Sequence, residues 1–132
     1  MMAFVIDASA LVYAAITSAD PAARLRRRLS DDTVHAPHLI DAELGNVLRR
    51  HVQRGDLTAA HGEAVLSAAP RLIDHRYEHT GAIATAAWAL RDNVTFYDAV
   101  YVAIAAALDV PLVTADRRLA SAQALPCRVE LP

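Results

Sequence analysis

Tyr97-Asp98-Ala99-Val100-Tyr101-Val102-Ala103-Ile104-Ala105-Ala106-Ala107-Leu108, then Val110-Pro111-Leu112-Val113-Thr114-Ala115-Asp116, is the stretch that decides the fold. Thr95 has the character of a helix N-cap, and the helix that follows it to Leu108 is apolar on every face. Such a helix is buried on several sides. It runs into a short apolar segment, Val110–Thr114, that reads as a buried strand, and Arg117 then opens a short helix. A buried helix feeding a buried strand is the repeating unit of a parallel sheet covered by helices.

Working outward, the same alternation recurs. Ala3–Ile6 is a short apolar strand that stops at Asp7, and Ala8–Ile16 reads as a helix. An arginine-rich helix follows Pro21, and Thr33–Ala36 reads as a second strand. A long helix from Leu39 to Arg54 ends at Gly55, the residue that best tolerates the left-handed C-terminal position. Thr58 opens a helix stopped by Pro70, Arg71–Asp74 is expected as a third strand, and Thr80–Arg91 as a further helix. Cys127–Leu131 closes the chain as a last strand. The pattern predicts an α/β fold, a three-layer α/β/α sandwich with a central parallel sheet, in a single domain over 1–132.

Composition narrows the chemistry. With 132 residues and 55% hydrophobic but only 5% aromatic content, the core must be aliphatic. No apolar run approaches the roughly 20 residues that span a bilayer, and no leader-like N-terminus is visible, so a cytoplasmic protein without a membrane partner is expected. Cys127 is the sole cysteine and is expected to be buried and inert; it cannot form an internal disulfide. All 13 basic residues are arginine, which excludes mechanisms that need a lysine. Trp88 is expected in the core. His75 and His79 have i, i+4 spacing but no third ligand, and read as surface histidines.

The acidic residues carry the functional signal. Sites in parallel α/β sheets form beyond the carboxyl ends of the strands, where strand order reverses. Asp7 directly follows the first strand, and Asp116 lies two residues past Thr114. Glu43 sits early in the helix after the second strand, at the edge of the stripe Ile40, Leu44, Val47 and Leu48. Asp98 lies in the first turn of the buried helix. Each has a bland reading as a helix cap or first-turn acid. Four carboxylates at one end of the fold repel one another and desolvate, and without lysine a cation must offset that. Oxygen ligands suit Mg²⁺, with Mn²⁺ as a substitute. Two such ions about 4 Å apart can activate water and steady the leaving oxygen of a phosphodiester. They would also reverse the sign of a net charge of −2.

Val5-Ile6-Asp7-Ala8-Ser9-Ala10-Leu11, Ala36-Pro37 with Glu43 and Leu48-Arg49-Arg50, Tyr97–Ala103, and Leu112-Val113-Thr114-Ala115-Asp116-Arg117-Arg118-Leu119 together resemble the PIN-domain nucleases, most closely the VapC-type toxins of bacterial toxin–antitoxin pairs. The resemblance covers essentially the whole chain. It implies a Mg²⁺-dependent endoribonuclease acting on RNA, a homodimer, and a cognate VapB-type antitoxin. It also implies that Asp7 and Asp98 are the principal metal ligands, that Glu43 and Asp116 complete the cluster, and that Ser9 and Thr114 support the pocket. Arg24, Arg26, Arg27 and Arg28 are candidate contacts for RNA phosphates or the antitoxin. A phosphorelay receiver would need a lysine, and a haloacid-dehalogenase-type phosphatase a second acid where Ser9 stands. The remaining alternatives are a PIN nuclease of RNA maturation or acting on DNA, and an inactive PIN-type binding module.

Overall fold

The computed structural model describes residues 2–132. Five strands form one all-parallel sheet in the order β3-β2-β1-β4-β5: β1 (Ala3–Ile6), β2 (Thr33–Pro37), β3 (His75–Tyr77), β4 (Leu112–Val113) and β5 (Val129–Glu130). Seven α-helices accompany them among the described residues: α1 (Ala8–Ile16), α2 (Asp20–Asp31), α3 (Leu39–Arg54), α4 (Ala59–Ala68), α5 (Ala82–Trp88), α6 (Phe96–Leu108) and α7 (Arg117–Ala120). The chain moves outward from β1 through β2 to β3, then returns across the sheet to β4 on the other side of β1. With right-handed crossovers, that reversal puts α1–α4 on one face and α5–α7 on the other. Accordingly α1 packs against α2 and α3, while α6 lies across β1, β2 and β4 with α5 beside it.

The core is mainly aliphatic, as expected, with Phe4 and Tyr101 as its two largest fully buried side chains among the described residues. Phe4, Val5, Ile6, Val34, Leu112 and Val113 fill the sheet, and Ala99–Ala105 are buried along α6. The register Val5↔Leu112 and Ile6↔Val113 makes β1 and β4 neighbours, so the switch in strand order falls between them.

Local signals explain most boundaries. Thr58 and Thr95 cap α4 and α6 through their hydroxyls, and Gly55 ends α3 at φ +82°. Four expectations are corrected. The third strand is His75–Tyr77, not Arg71–Asp74, because Pro70 helps wind Ala69–Leu72 into a 3₁₀ turn. Asp74 then pairs with Val34 through both backbone and carboxylate before regular pairing begins. The helix expected over Thr80–Arg91 shortens to Ala82–Trp88, entered through Gly81 at φ +63°. Trp88 is not core: it is 61% exposed, with the Arg91 guanidinium 5.2 Å from its ring, and buried Ala87 takes the inward position. Cys127 is half-buried and precedes β5, although burial does push its thiol up. His75 is exposed on β3 and stacks on His35, while His79 is exposed in a loop.

Candidate active site

Parallel strands end at one edge, and helices on either face begin there. Asp7 leaves the end of β1 as the N-cap of α1, its Oδ1 accepting the Ala10 N–H at 2.9 Å. Asp116 follows β4 as the N-cap of α7, accepting the Arg118 N–H at 2.9 Å. Asp98 stands in the first turn of α6, after the Thr95 cap, and Glu43 in the second turn of α3. All four line one cavity of about 110 Å³, together with Ser9, Arg50 and Tyr101. This is room for a hydrated cation or several waters. Asp98 is half-buried, although the helix that carries it is buried from Ala99 to Ala105.

Two hydroxyls fix Asp7. Ser9 Oγ donates to its Oδ1 at 2.7 Å, and Thr114 Oγ1 donates to its Oδ2. Each hydroxyl has one proton, so both are spent on Asp7. Their lone pairs remain available: Ser9 Oγ accepts the Ala115 N–H at 3.1 Å, and Thr114 Oγ1 accepts the Asp116 N–H at 3.0 Å. Ser9 and Thr114 thereby tie the ends of β1 and β4 into one unit around a carboxylate that is only 7% exposed.

Burial dominates the electrostatics. Desolvation pushes Asp7 up to about 6; the Thr114, Ala10 and Ser9 hydrogen bonds oppose it, and Asp98 adds to it. Desolvation also raises Asp98, reinforced by Asp116. Glu43 is raised by burial, against the hydrogen bond from Tyr101 and the field of Arg50. The cavity therefore holds more negative charge than the chain neutralises. Arg118 lies 3.8 Å from Asp116, but its side chain is 95% exposed and its field is screened by water.

Tyr101 was not legible as a site residue. Its hydroxyl donates to Glu43 Oε1 at 2.6 Å, joining α6 to α3 across the sheet edge. Burial and the surrounding carboxylates push its own pKa far up, so it stays a donor. The available signal was a phenol in an otherwise apolar helix, since a buried hydroxyl requires a partner.

None of Arg24, Arg26, Arg27 and Arg28 lines the carboxylate cavity. Arg26 donates to the Ala14 and Thr17 carbonyls, both at 2.8 Å, closing the C-terminal end of α1. Arg28 pairs with Glu130 and Asp32 and covers Phe4. Arg24 and Arg27 are exposed. Asp41, near Glu43 in sequence, faces elsewhere and holds Arg76 in a bidentate pair at 2.9 and 3.0 Å.

The donor set fits a hard divalent cation: all oxygen, with desolvated charge that a cation would relieve. Among the described residues no group of three His, Cys, Asp or Glu side chains stands close enough to hold a metal ion as placed, so a bound cation would reach some of the four carboxylates through water.

A parallel α/β sheet with an acidic cavity at its strand-order switch defines a class, and the PIN domain profile matches residues 4–125: the chain belongs to the PIN-domain family. It is 49% identical over 127 residues to Ribonuclease VapC1 of Mycobacterium tuberculosis, covering 96% of each chain. Ribonuclease VapC9 of the same organism is 38% identical over 125 residues, covering 95% of this chain and 94% of that one. In fold, the chain matches the structure of VapBC2 from Rickettsia felis bound to a DNA fragment from their promoter, with a TM-score of 0.71 at 14% identity over 99% of both chains.

Proposed function

We propose that this protein is a Mg²⁺-dependent endoribonuclease, the toxin of a VapBC-type pair, which hydrolyses RNA phosphodiesters at the cavity formed by Asp7, Glu43, Asp98 and Asp116. The observation that carries the reading is the convergence of these four carboxylates, three of them raised by desolvation, with no lysine to balance them. The names of the VapC ribonuclease relatives support the choice of RNA as substrate. Mg²⁺, or Mn²⁺ in its place, would be held by the four carboxylates and would supply an activated water and charge relief at the phosphate.

The chain's own contribution is positioning. Ser9, Thr114 and the Ala10 amide hold both oxygens of Asp7 in a fixed direction, so little reorganisation is needed on loading. Tyr101 aims Glu43 into the same space. Asp98 and Asp116 are less enclosed and line the neighbouring cleft as well, where incoming water and phosphate have access. The test is cleavage of single-stranded RNA in EDTA, then with Mg²⁺ or Mn²⁺ restored. Activity should vanish and return; full activity in EDTA would refute the metal requirement.

The same charge supports the partner reading. A guanidinium binds carboxylates in a bidentate fork, so an antitoxin tail carrying an arginine would be drawn to this cavity. A homodimer is expected to cover the exposed aromatics Trp88, Phe96 and Tyr97 at the α5–α6 junction. Mass measurement of the protein alone, and with its antitoxin at rising Mg²⁺, reads both: a monomer throughout, or a complex indifferent to Mg²⁺, would contradict them.

A further inference from the structure

A second pocket, of about 260 Å³, opens between α1 and α3 and shares Ser9, Val47 and Arg50 with the carboxylate cavity. The two pockets therefore adjoin, one lined by carboxylates and the other by basic side chains. Tyr13 lines the basic pocket from α1, and Arg50, His51 and Arg54 line it from α3. At 1.5 Å per residue, Arg50 and Arg54 stand roughly 10 and 16 Å along α3 from Glu43. The cationic groups thus lead away from the carboxylates in a row.

These groups are available. Arg50 is exposed and forms no hydrogen bond or ion pair among the described residues; its field reaches Glu43. Arg54 is only partly committed, to His51 at 3.0 Å and to Asp56 at 3.6 Å. Tyr13 is half-buried, with its hydroxyl unpaired among the described residues. Both helices of the wall have capped ends. Arg26 ties down the last carbonyls of α1, and Gly55 closes α3.

We propose that this basic pocket is the subsite for the nucleotide flanking the scissile phosphate in single-stranded RNA. Arg50 and Arg54 hold the flanking phosphates, and the Tyr13 ring stacks on the neighbouring base. The inference rests on the ribonuclease reading and adds a binding site to it. An acidic chain needs such a local cation row to hold a polyanion beside a cluster of carboxylates. Stacking on a side chain requires an unpaired base, which specifies a single strand. An arginine-bearing protein tail would be repelled by this pocket.

The test measures two quantities on the full chain: anisotropy of a labelled, non-cleavable 2′-O-methyl RNA hexamer in EDTA, and cleavage of the matching RNA in Mg²⁺. Arg50→Ala, Arg54→Ala and Tyr13→Leu should each weaken hexamer binding, with Tyr13→Leu falling roughly 5- to 150-fold as expected for a lost stack. Tyr13→Phe should bind like the parent. The arginine variants should flatten the salt dependence of log Kd by about 0.7 per lost phosphate contact. In cleavage, Tyr13→Leu and Arg54→Ala should raise KM while kcat stays within about threefold. Hexamer binding unchanged in all three variants overturns the subsite even if the parent cleaves RNA. Losses confined to Arg24→Ala or Arg27→Ala would move the RNA path to α2 and overturn it equally. Binding that depends on Tyr13 and Arg50 in a protein that never cleaves RNA keeps a single-stranded RNA site in this pocket but rejects the ribonuclease reading, and with it the placement beside a scissile phosphate. A parent that neither binds nor cleaves rejects both.

Discussion

Asp7→Asn separates the electrostatic demand of the site from its architecture. The asparagine keeps the carbonyl oxygen that accepts from the Ala10 N–H and Ser9 hydroxyl, and so keeps the cap. Its amide meets Thr114 Oγ1, which can accept from it by redirecting its proton toward Ser9 Oγ, 3.3 Å away. What disappears is the buried charge. The folded protein raises Asp7 from 3.8 to about 6. A raised carboxylate adds stability that is complete below its unfolded pKa and is lost as pH rises through the folded value. At pH 8 the ionised side chain therefore destabilises the metal-free fold by about 3 kcal/mol. The variant escapes this.

In chelator, the variant's advantage should be absent near pH 3, grow between about pH 4 and 6, and then stay level. For a domain of this size the plateau corresponds to roughly 5–10 °C in Tm. His35, which burial lowers, imposes a trend of opposite sign on both proteins and cancels in the difference. The assay is a set of thermal melts of parent and variant across pH with EDTA, repeated with Mg²⁺. Magnesium should raise the parent's Tm and largely erase the gap, while cleavage by the variant falls by orders of magnitude. A Tm difference independent of pH, or a variant less stable at pH 8, would refute the claim that Asp7 carries uncompensated charge.

Two further outcomes follow from neighbouring contacts. Asp41→Asn breaks the exposed pair with Arg76, so it should leave cleavage intact and reduce stability by no more than about 1 kcal/mol in chemical denaturation; Glu43→Gln should cripple cleavage while the melting temperature in chelator holds or rises at pH 8, because burial raises Glu43 as well, and equal losses of cleavage in both would place the wrong face of α3 at the site. Tyr101→Phe keeps the core volume but removes the donor that lowers Glu43, so the acid limb of the pH–rate profile should move upward and kcat fall by about tenfold; an unmoved profile would reduce Tyr101 to packing.

The legible parts of the site are those carried by punctuation. An apolar run ending at Asp7 and another ending before Asp116 fix where two strands stop, and the parallel register of β1 and β4 does the rest. Gly55, Thr58 and Thr95 announce helix ends because each has a local job that few residues do well. The hidden parts depend on long side chains that reach across elements. Nothing in the run Arg24–Arg28 distinguishes Arg26, which folds back onto α1, from Arg27, which faces water. Trp88 reads as core by composition, yet α5 turns it outward because the small Ala87 fits the packed side. The Tyr13–Arg54 pocket joins residues about forty positions apart on two helices, and neither helix alone suggests a cleft.

Helix cap and candidate active-site acid are compatible readings in this fold. Helices that return antiparallel to the strands all begin at the carboxyl edge of the sheet, so each of the four acids lies in the N-terminal part of a helix: Asp7 and Asp116 as caps, Asp98 in the first turn, Glu43 in the second. Unpaired amides and the dipole at such ends favour negative charge, each by up to about 1 kcal/mol. For α7, with four residues, the contribution is little more than its cap. These terms oppose desolvation and mutual repulsion without overcoming them, since Asp7, Glu43 and Asp98 are still raised. The fold therefore tolerates the cluster while leaving it short of positive charge. A divalent cation would supply that charge, and with the carboxylates neutralised the same helix ends would favour an incoming phosphate.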